Sequence, residues 1–151
     1  MLLTGCMSPL NQAALRGDTT QIQRLLDKGV GVNSTAFGFT ALMCAANNGK
    51  ANVVEQLLSK GADINAVGAY NWTALSLAAS FGHTECVKVL LEHGADITPK
   101  NINGQTALDL ARAKGYTEIV KLIRAVSPNG TSKETAQPSM LPINNTGNEP
   151  F

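Results

Sequence analysis

The chain has 151 residues, of which 44% are hydrophobic, and its formal net charge at pH 7 is +1. This composition can build a buried core, but it gives the chain no overall field to attract nucleic acid or acidic lipid, so we set nucleic-acid binding aside. The sequence contains no run of about 18 apolar residues, the length that a helix needs to span a bilayer.

Residues 1–7 contain a cysteine motif. Leu3-Thr4-Gly5-Cys6 resembles a bacterial lipobox, in which the cysteine is lipidated after signal cleavage, so Cys6 is a candidate lipidation site. Only Met1 and Leu2 precede the motif, whereas a signal peptide needs a basic segment and about 7 to 15 apolar residues. We favour a chain that has lost its signal, because the motif directly precedes the repeats described next. An accidental match in a cytosolic protein and an internal start codon are the open alternatives.

A 33-residue period organises residues 8–126. The tripeptide Thr-Ala-Leu occurs at residues 40–42, 73–75 and 106–108. Glycines keep the same spacing at Gly49, Gly82 and Gly115. A fainter copy starts at Ser8, offset by 32 residues. Because a fixed period of this size indicates a stacked array, we predict an all-α domain of four repeats at about 8–38, 39–71, 72–103 and 104–126.

Each repeat is predicted to fold as a helix, a tight turn, a second helix and a loop. In repeat two, Thr40 is a suitable N-cap, because its hydroxyl can accept a free amide of the first turn, and the run that follows favours helix as far as Gly49. An apolar stripe at residues 53, 54, 57 and 58 then indicates a second helix, which ends at Gly61.

The two end repeats differ from the middle ones. Ser8 can cap the first helix with Pro9 in the first helical position, and Thr106 with Asp109 forms a capping box in repeat four. Repeat one is otherwise polar, with residues such as Asn11 and Arg16, as expected of an end repeat that faces water. Both ends of the array are therefore expected to be capped within this chain.

The repeated motif resembles the ankyrin repeat consensus. Repeat three carries it most completely, in Thr73, Leu75, Ala78, Ala79, Gly82, His83, Glu85, Val87, Leu90, Leu91, Gly94, Ala95 and Asp96. The resemblance implies a solenoid of paired antiparallel helices with hairpin fingers along one edge. The Thr-Pro-Leu-His of the family is replaced by Thr-Ala-Leu followed by Met43, Ser76 or Asp109, from which we expect a modest loss of stability.

The resemblance also implies that partners contact the fingers and the exposed ends of the first helices on the concave face. Five of the seven aromatic residues fall at such positions. Trp and Tyr are favoured interface anchors, although packing of these rings against one another is the alternative. The predicted partner-binding residues are Phe37, Phe39, Asn47, Asn48, Tyr70, Trp72, Ser80, Phe81, Asn103, Gln105 and Lys114.

Residues that could support chemistry are few. His83 occupies the Gly-His turn position of the consensus, and His93 ends a second helix, where a donor near free carbonyls is favourable. Cys86 and Cys44 fall on predicted inner faces, and no further ligand pair completes a tetrahedral zinc site. We therefore predict no metal, no cofactor and no enzymatic activity.

After Val126 the composition changes. Residues 127–151 hold four prolines among Asn, Gly, Ser and Thr, which predicts a flexible tail whose stretch at residues 140–143 is the part best suited to dock on an apolar groove.

The sequence as a whole predicts a non-catalytic protein-binding module. A narrower alternative is an immunity protein that neutralises a toxic effector enzyme. The expected location is the bacterial periplasm or outer membrane, as a lipoprotein, if an upstream signal exists, and otherwise the cytoplasm. Contact with a membrane is expected only through a lipid at Cys6.

Overall fold

The computed structural model describes residues 8–127, so Cys6 and nearly all of the predicted tail lie outside the described residues. The helices within this range are α1 (Pro9–Arg16), α2 (Thr19–Asp27), α3 (Ala41–Asn47), α4 (Ala51–Ser59), α5 (Ala74–Ser80), α6 (Thr84–Glu92), α7 (Ala107–Lys114) and α8 (Thr117–Val126). Two short strands, β1 (Thr35–Ala36) and β2 (Phe39–Thr40), pair antiparallel, and a 3-10 turn covers Ala69–Asn71.

The helices form two layers. The inner helices α1, α3, α5 and α7 pack against one another in sequence, and each also packs against the outer helix that follows it. The outer helices α2, α4, α6 and α8 stack in the same order. The predicted all-α array of four helix pairs is therefore confirmed.

Small side chains let the inner helices approach closely. Ala45 and Ala46 in α3, like Ala78 and Ala79 in α5, are completely buried between neighbouring repeats. Larger residues such as Leu57 fill the space between the two layers, and they belong to one continuous core that runs the length of the array. Stability therefore comes from contacts between adjacent repeats, as it does in repeat proteins generally.

The predicted helix caps are present. The Oγ1 atoms of Thr40 and Thr106 accept the backbone amides of Met43 and Asp109, each at 3.2 Å. In repeat four the Asp109 carboxylate accepts the Thr106 amide at 2.9 Å, which completes the predicted capping box.

A second capping box was not predicted. The Ser76 hydroxyl accepts the backbone amide of Thr73 at 2.9 Å, and the Thr73 hydroxyl accepts the amide of Ser76 at 3.1 Å. Serine and aspartate at the position of the consensus histidine thus supply hydrogen bonds of their own, so the replaced motif does not leave these helix starts uncapped.

Asn11 corrects one expectation. The polar character of repeat one suggested that this side chain faces water, yet it is completely buried. Its Nδ2 atom donates to the Phe39 carbonyl at 2.9 Å and so links α1 to the first hairpin. The side chain is buried because it occupies the helix face that the next repeat covers, and the hydrogen bond offsets part of its desolvation.

Side-chain amides link the loops that follow the outer helices. Asn33 accepts the backbone amide of Asp63 at 2.7 Å, and Asn65 accepts that of Asp96 at 2.8 Å. Each link crosses from one repeat to the next. The backbone and hydroxyl of Thr98 donate to the Asp96 carboxylate, which lowers its pKa. These loops lead directly into the fingers, so the two asparagine hydrogen bonds help to fix where the fingers start.

Candidate partner-binding face

The segments between helix pairs form three fingers, at residues 34–40, 67–73 and 100–106. In the first finger, Phe37 and Gly38 form the turn between β1 and β2, with φ values of 55° and 79°. Positive φ at both central residues is the signature of a type I′ turn, which matches the twist of paired strands. The turn presents the Phe37 side chain at the fingertip, where it is 57% exposed.

The second finger repeats this geometry without forming strands. Tyr70 and Asn71 have φ values of 56° and 61°, and the Gly68 amide donates to the Trp72 carbonyl at 2.8 Å across the turn. Tyr70 is therefore the counterpart of Phe37, and it is 65% exposed. Asparagine and glycine favour positive φ, whereas bulky aromatic residues rarely adopt it.

Backbone hydrogen bonds join the fingers to one another. The Ala69 amide donates to the Gly38 carbonyl at 2.9 Å, and the Ile102 amide donates to the Tyr70 carbonyl at 3.1 Å. In the third finger the Asn101 carboxamide oxygen accepts the amides of Asn103 and Gln105. The fingertips thus form one connected row, which we call the finger edge and define as Phe37, Tyr70, Ile102 and Asn103.

Phe39 and Trp72 differ from their exposed neighbours. Both rings are partly buried and pack against the hydrophobic core. Each directly follows the two central residues of its turn, and this position is directed toward the helices rather than the tip. Of the five aromatic residues that were predicted to share the face, these two follow the packing alternative in part.

A second row lies at the ends of the inner helices. Phe81 is 53% exposed, and Asn48 and Lys114 hold equivalent, exposed positions in the neighbouring repeats. Asn47 is partly buried, and Ser80 is only 8% exposed, so the Ser80 side chain offers little area to a partner. Gln105 is partly buried in the third finger.

The turns behind this row are packed tightly. The ring of His83 covers Gly49, where an added Cβ would lie 2.7 Å from Nδ1, and Nε2 donates to the Asn47 carbonyl at 3.0 Å. The Tyr116 ring covers Gly82 in the same way in the next repeat. The consensus turn position of His83 thus has a structural use, because its ring links the turn of one repeat to the end of the preceding inner helix at Asn47.

Two exposed apolar residues were missed by the sequence reasoning. Val67 and Ile102 belong to the second and third fingers, and both are exposed. Ile102 stands two residues before Gly104 in the position that is Ala36 and Ala69 in the earlier fingers. The change from alanine to isoleucine at a repeat-equivalent loop position was the available signal.

The cysteines and histidines of residues 8–127 form no reactive cluster. Burial raises the pKa of the Cys44 thiol to about 12 and that of the Cys86 thiol to about 11, with the Glu85 charge adding to the second. His93 pairs with Glu55 of the preceding outer helix at 2.9 Å. In this part of the chain, no group of three or more His, Cys, Asp or Glu side chains is placed to hold a metal ion.

Comparison with known families agrees with the geometry. The family model described as ankyrin repeats (3 copies) matches residues 3–68 and, a second time, residues 67–134. The chain belongs to the ankyrin-repeat family. Ankyrin repeats are in general protein–protein interaction modules, and the face described above lies at the fingers and inner helices of this ankyrin array. The chain matches no curated protein. None of the ankyrin helices between residues 8 and 127 has the length and apolar character that a membrane crossing requires.

Proposed function

We propose that this ankyrin array is a non-catalytic module that binds a partner protein through the finger edge and the adjoining ends of the inner helices. The observation that carries the proposal is the backbone at Phe37 and Tyr70, which are both exposed and both at positive φ. A bulky residue in this conformation costs about 1–2 kcal/mol, and rings that are more than half exposed bury little area within the chain. Contact with a partner accounts for both the strain and the exposure, because aromatic side chains bury much area with little loss of entropy.

The support beneath these residues favours recognition by a preformed surface. Gly68 lies where an added Cβ would contact the Gly38 carbonyl and would sit 2.7 Å from the Met43 sulfur, so the second finger packs closely against the first. Together with the hydrogen bonds between the fingers, this packing limits the motion of the tips. A surface that is already ordered loses little entropy when it binds.

Affinity capture from the source organism tests the proposal. The bait is the full chain, and the test variant combines Phe37→Asn with Tyr70→Asn, because asparagine tolerates positive φ and keeps the turns. The control is Val126→Asn, which removes an exposed apolar side chain at the end of α8. We expect the wild type and the control to retain a partner that the double variant loses. A partner held equally by all three, or turnover of a substrate by the purified protein, would contradict the proposal.

An inhibitor of an effector enzyme is the second candidate. The rigid, preformed finger edge favours it, because tight inhibitors bind with little change of shape. The test is to assay a captured partner for enzymatic activity with and without this chain. Inhibition that disappears with the double asparagine variant supports an immunity role, whereas a partner whose activity is unchanged by binding supports a scaffold.

We further propose an envelope location through a lipid at Cys6. Its support is the Leu3-Thr4-Gly5-Cys6 motif alone, since these residues lie outside the described range. Expression with the upstream genomic sequence, followed by mass analysis of the membrane fraction, tests this point. A lipid mass on the wild type that is lost in Cys6→Ser supports it, and an unmodified protein in the cytosol contradicts it.

A further inference from the structure

Charge is distributed unevenly over this array. Of the nine aspartates and glutamates in residues 8–127, only Asp109 lies on an inner helix or in a finger. The other eight lie on the outer helices, at their N-caps or in the loops that follow them. The near neutrality of the chain therefore conceals a binding face that is almost free of carboxylates.

The single carboxylate on that face, that of Asp109, is hydrogen-bonded within its own helix cap. Asp109 accepts hydrogen bonds from the backbone amide and the hydroxyl of Thr106, both at 2.9 Å. Asp18, the nearest acidic residue in sequence to Arg16, accepts the Gln21 amide at 2.9 Å and so caps α2. Arg112 and Lys100 are close enough to Asp109 to help lower the pKa of its carboxyl group, so these two basic residues are partly balanced within the chain.

Four exposed basic residues lie on the inner helices or in the fingers, namely Arg16, Lys100, Arg112 and Lys114. Lys88 pairs with Glu85 and His93 pairs with Glu55, and all four residues lie on or beside outer helices. Arg16 and Lys114, at the two ends of the face, take part in neither pair. Their charge is thus available to a partner.

These charges flank the apolar centre. Arg16, Asn48, Phe81 and Lys114 are equivalent positions of the four repeats, so they form one row along the inner helices. Because packed helices lie about 8–10 Å apart, the row is roughly 30 Å long, with a cation at each end and an exposed ring near its middle. Interfaces commonly combine an apolar centre, from which charged residues are depleted, with a polar rim.

We infer that the partner is a folded protein whose contact surface has an apolar centre flanked by carboxylates. This inference rests on the proposed function and specifies its partner. Phosphates of a nucleic acid suit the face less well, because four cations spread over the array do not match the dense charge of a phosphate backbone. Carboxylates at the rim would speed association and make it sensitive to salt.

A selection from random protein surfaces tests the inference without knowledge of the natural partner. The probe is a phage library that displays a stable three-helix scaffold with a randomised surface, selected on the immobilised full chain. The test variant combines Arg16→Glu with Lys114→Glu. The control combines Lys28→Glu with Lys60→Glu, which changes the net charge equally, also at helix C-terminal ends, but beside outer helices.

We expect the selected scaffolds to be enriched in Asp and Glu around apolar residues. Their affinity should fall about five- to tenfold for the Arg16 and Lys114 variant, fall with rising salt, and change less than about twofold for the control. Selected surfaces without acidic enrichment, which bind both charge variants equally but lose the Phe37→Asn, Tyr70→Asn variant, would overturn the inference and leave the proposed function intact. Surfaces that bind every variant equally, or no selected surface at all, would overturn both. Binding of a random single-stranded DNA at physiological salt, lost with the Arg16 and Lys114 variant, would also overturn the inference.

Discussion

Replacement of both Phe37 and Tyr70 by asparagine should stabilise the fold while it abolishes partner binding. The backbone φ is 55° at Phe37 and 56° at Tyr70, in the left-handed region. Asparagine tolerates this conformation better than an aromatic residue does, because its short side chain bonds locally to the backbone. Both rings are more than half exposed, so their removal forfeits little packing.

The magnitude follows from the strain. If each substitution relieves about 0.5–1 kcal/mol, roughly half of the cost of a bulky left-handed residue because asparagine retains part of it, the double variant gains about 1–2 kcal/mol in its free energy of unfolding. In an array of this size the gain corresponds to a rise of about 3–8 °C in Tm. Urea unfolding followed by far-UV circular dichroism and by the fluorescence of Trp72, the single tryptophan, measures it.

Phe81→Asn is the matched control, because Phe81 has a similar exposure but a φ of −105°. No strain is relieved there, so we expect no gain in stability from that variant. A double variant that is less stable than the wild type by more than about 0.5 kcal/mol would refute the reasoning, since the aromatic rings would then stabilise the fingers rather than strain them.

Three further predictions concern the packing of the fingers, the capping of α7 and the burial of the core. Gly68→Ala should cost about 1–3 kcal/mol, because its Cβ would collide with the first finger, whereas Gly31→Ala, with open space and no positive φ, should be neutral in the same urea titration. Hydrogen bonds from the backbone and hydroxyl of its capping threonine lower the pKa of Asp109, so its stabilisation is complete above the unfolded-state pKa and is lost as the pH falls through the folded-state pKa. The stability difference between wild type and Asp109→Asn should therefore shrink between pH 7 and pH 3, and a constant difference would contradict this reading. Cys44 and Cys86 should react with a thiol reagent only as fast as the array opens, because both are buried. The rate is measured in a Cys6→Ser variant, so that only these two thiols report. A fast reaction of the native protein would show that they are less buried than described.

The 33-residue period was sufficient to predict the four helix pairs and their order along the chain. A glycine that ends a helix and a threonine that starts one act through local backbone geometry, so Gly49 and Thr40 could be assigned without knowledge of the fold. The stripe residues are likewise identified by spacing alone. For the same reason the four helix pairs and their order were predictable.

The composition of the binding face was less predictable, because burial in a finger depends on contacts between repeats. Phe37 and Phe39 flank one glycine and are equally aromatic, yet one lies at the tip and the other packs on the core. Asn11 is buried because α3 covers it, and its bond to a carbonyl 28 residues away has no local signature. The capping box of Ser76 departs from the family consensus, in which this position is histidine, so the resemblance alone does not predict it.

The division between tip and base residues changes how the face should be probed. Trp72 is among the predicted partner-binding residues, but its ring packs on the core and its carbonyl accepts the Gly68 amide within the second finger. Truncation of Trp72 to alanine would remove buried area and loosen the turn that carries Tyr70, so a loss of binding would not distinguish contact from support. Tyr70→Asn avoids this ambiguity, because the substitution removes the exposed ring and leaves the turn intact. A partner that tolerates Tyr70→Asn but is lost with Trp72→Ala would therefore recognise the array through the shape of its fingers and not through their aromatic tips.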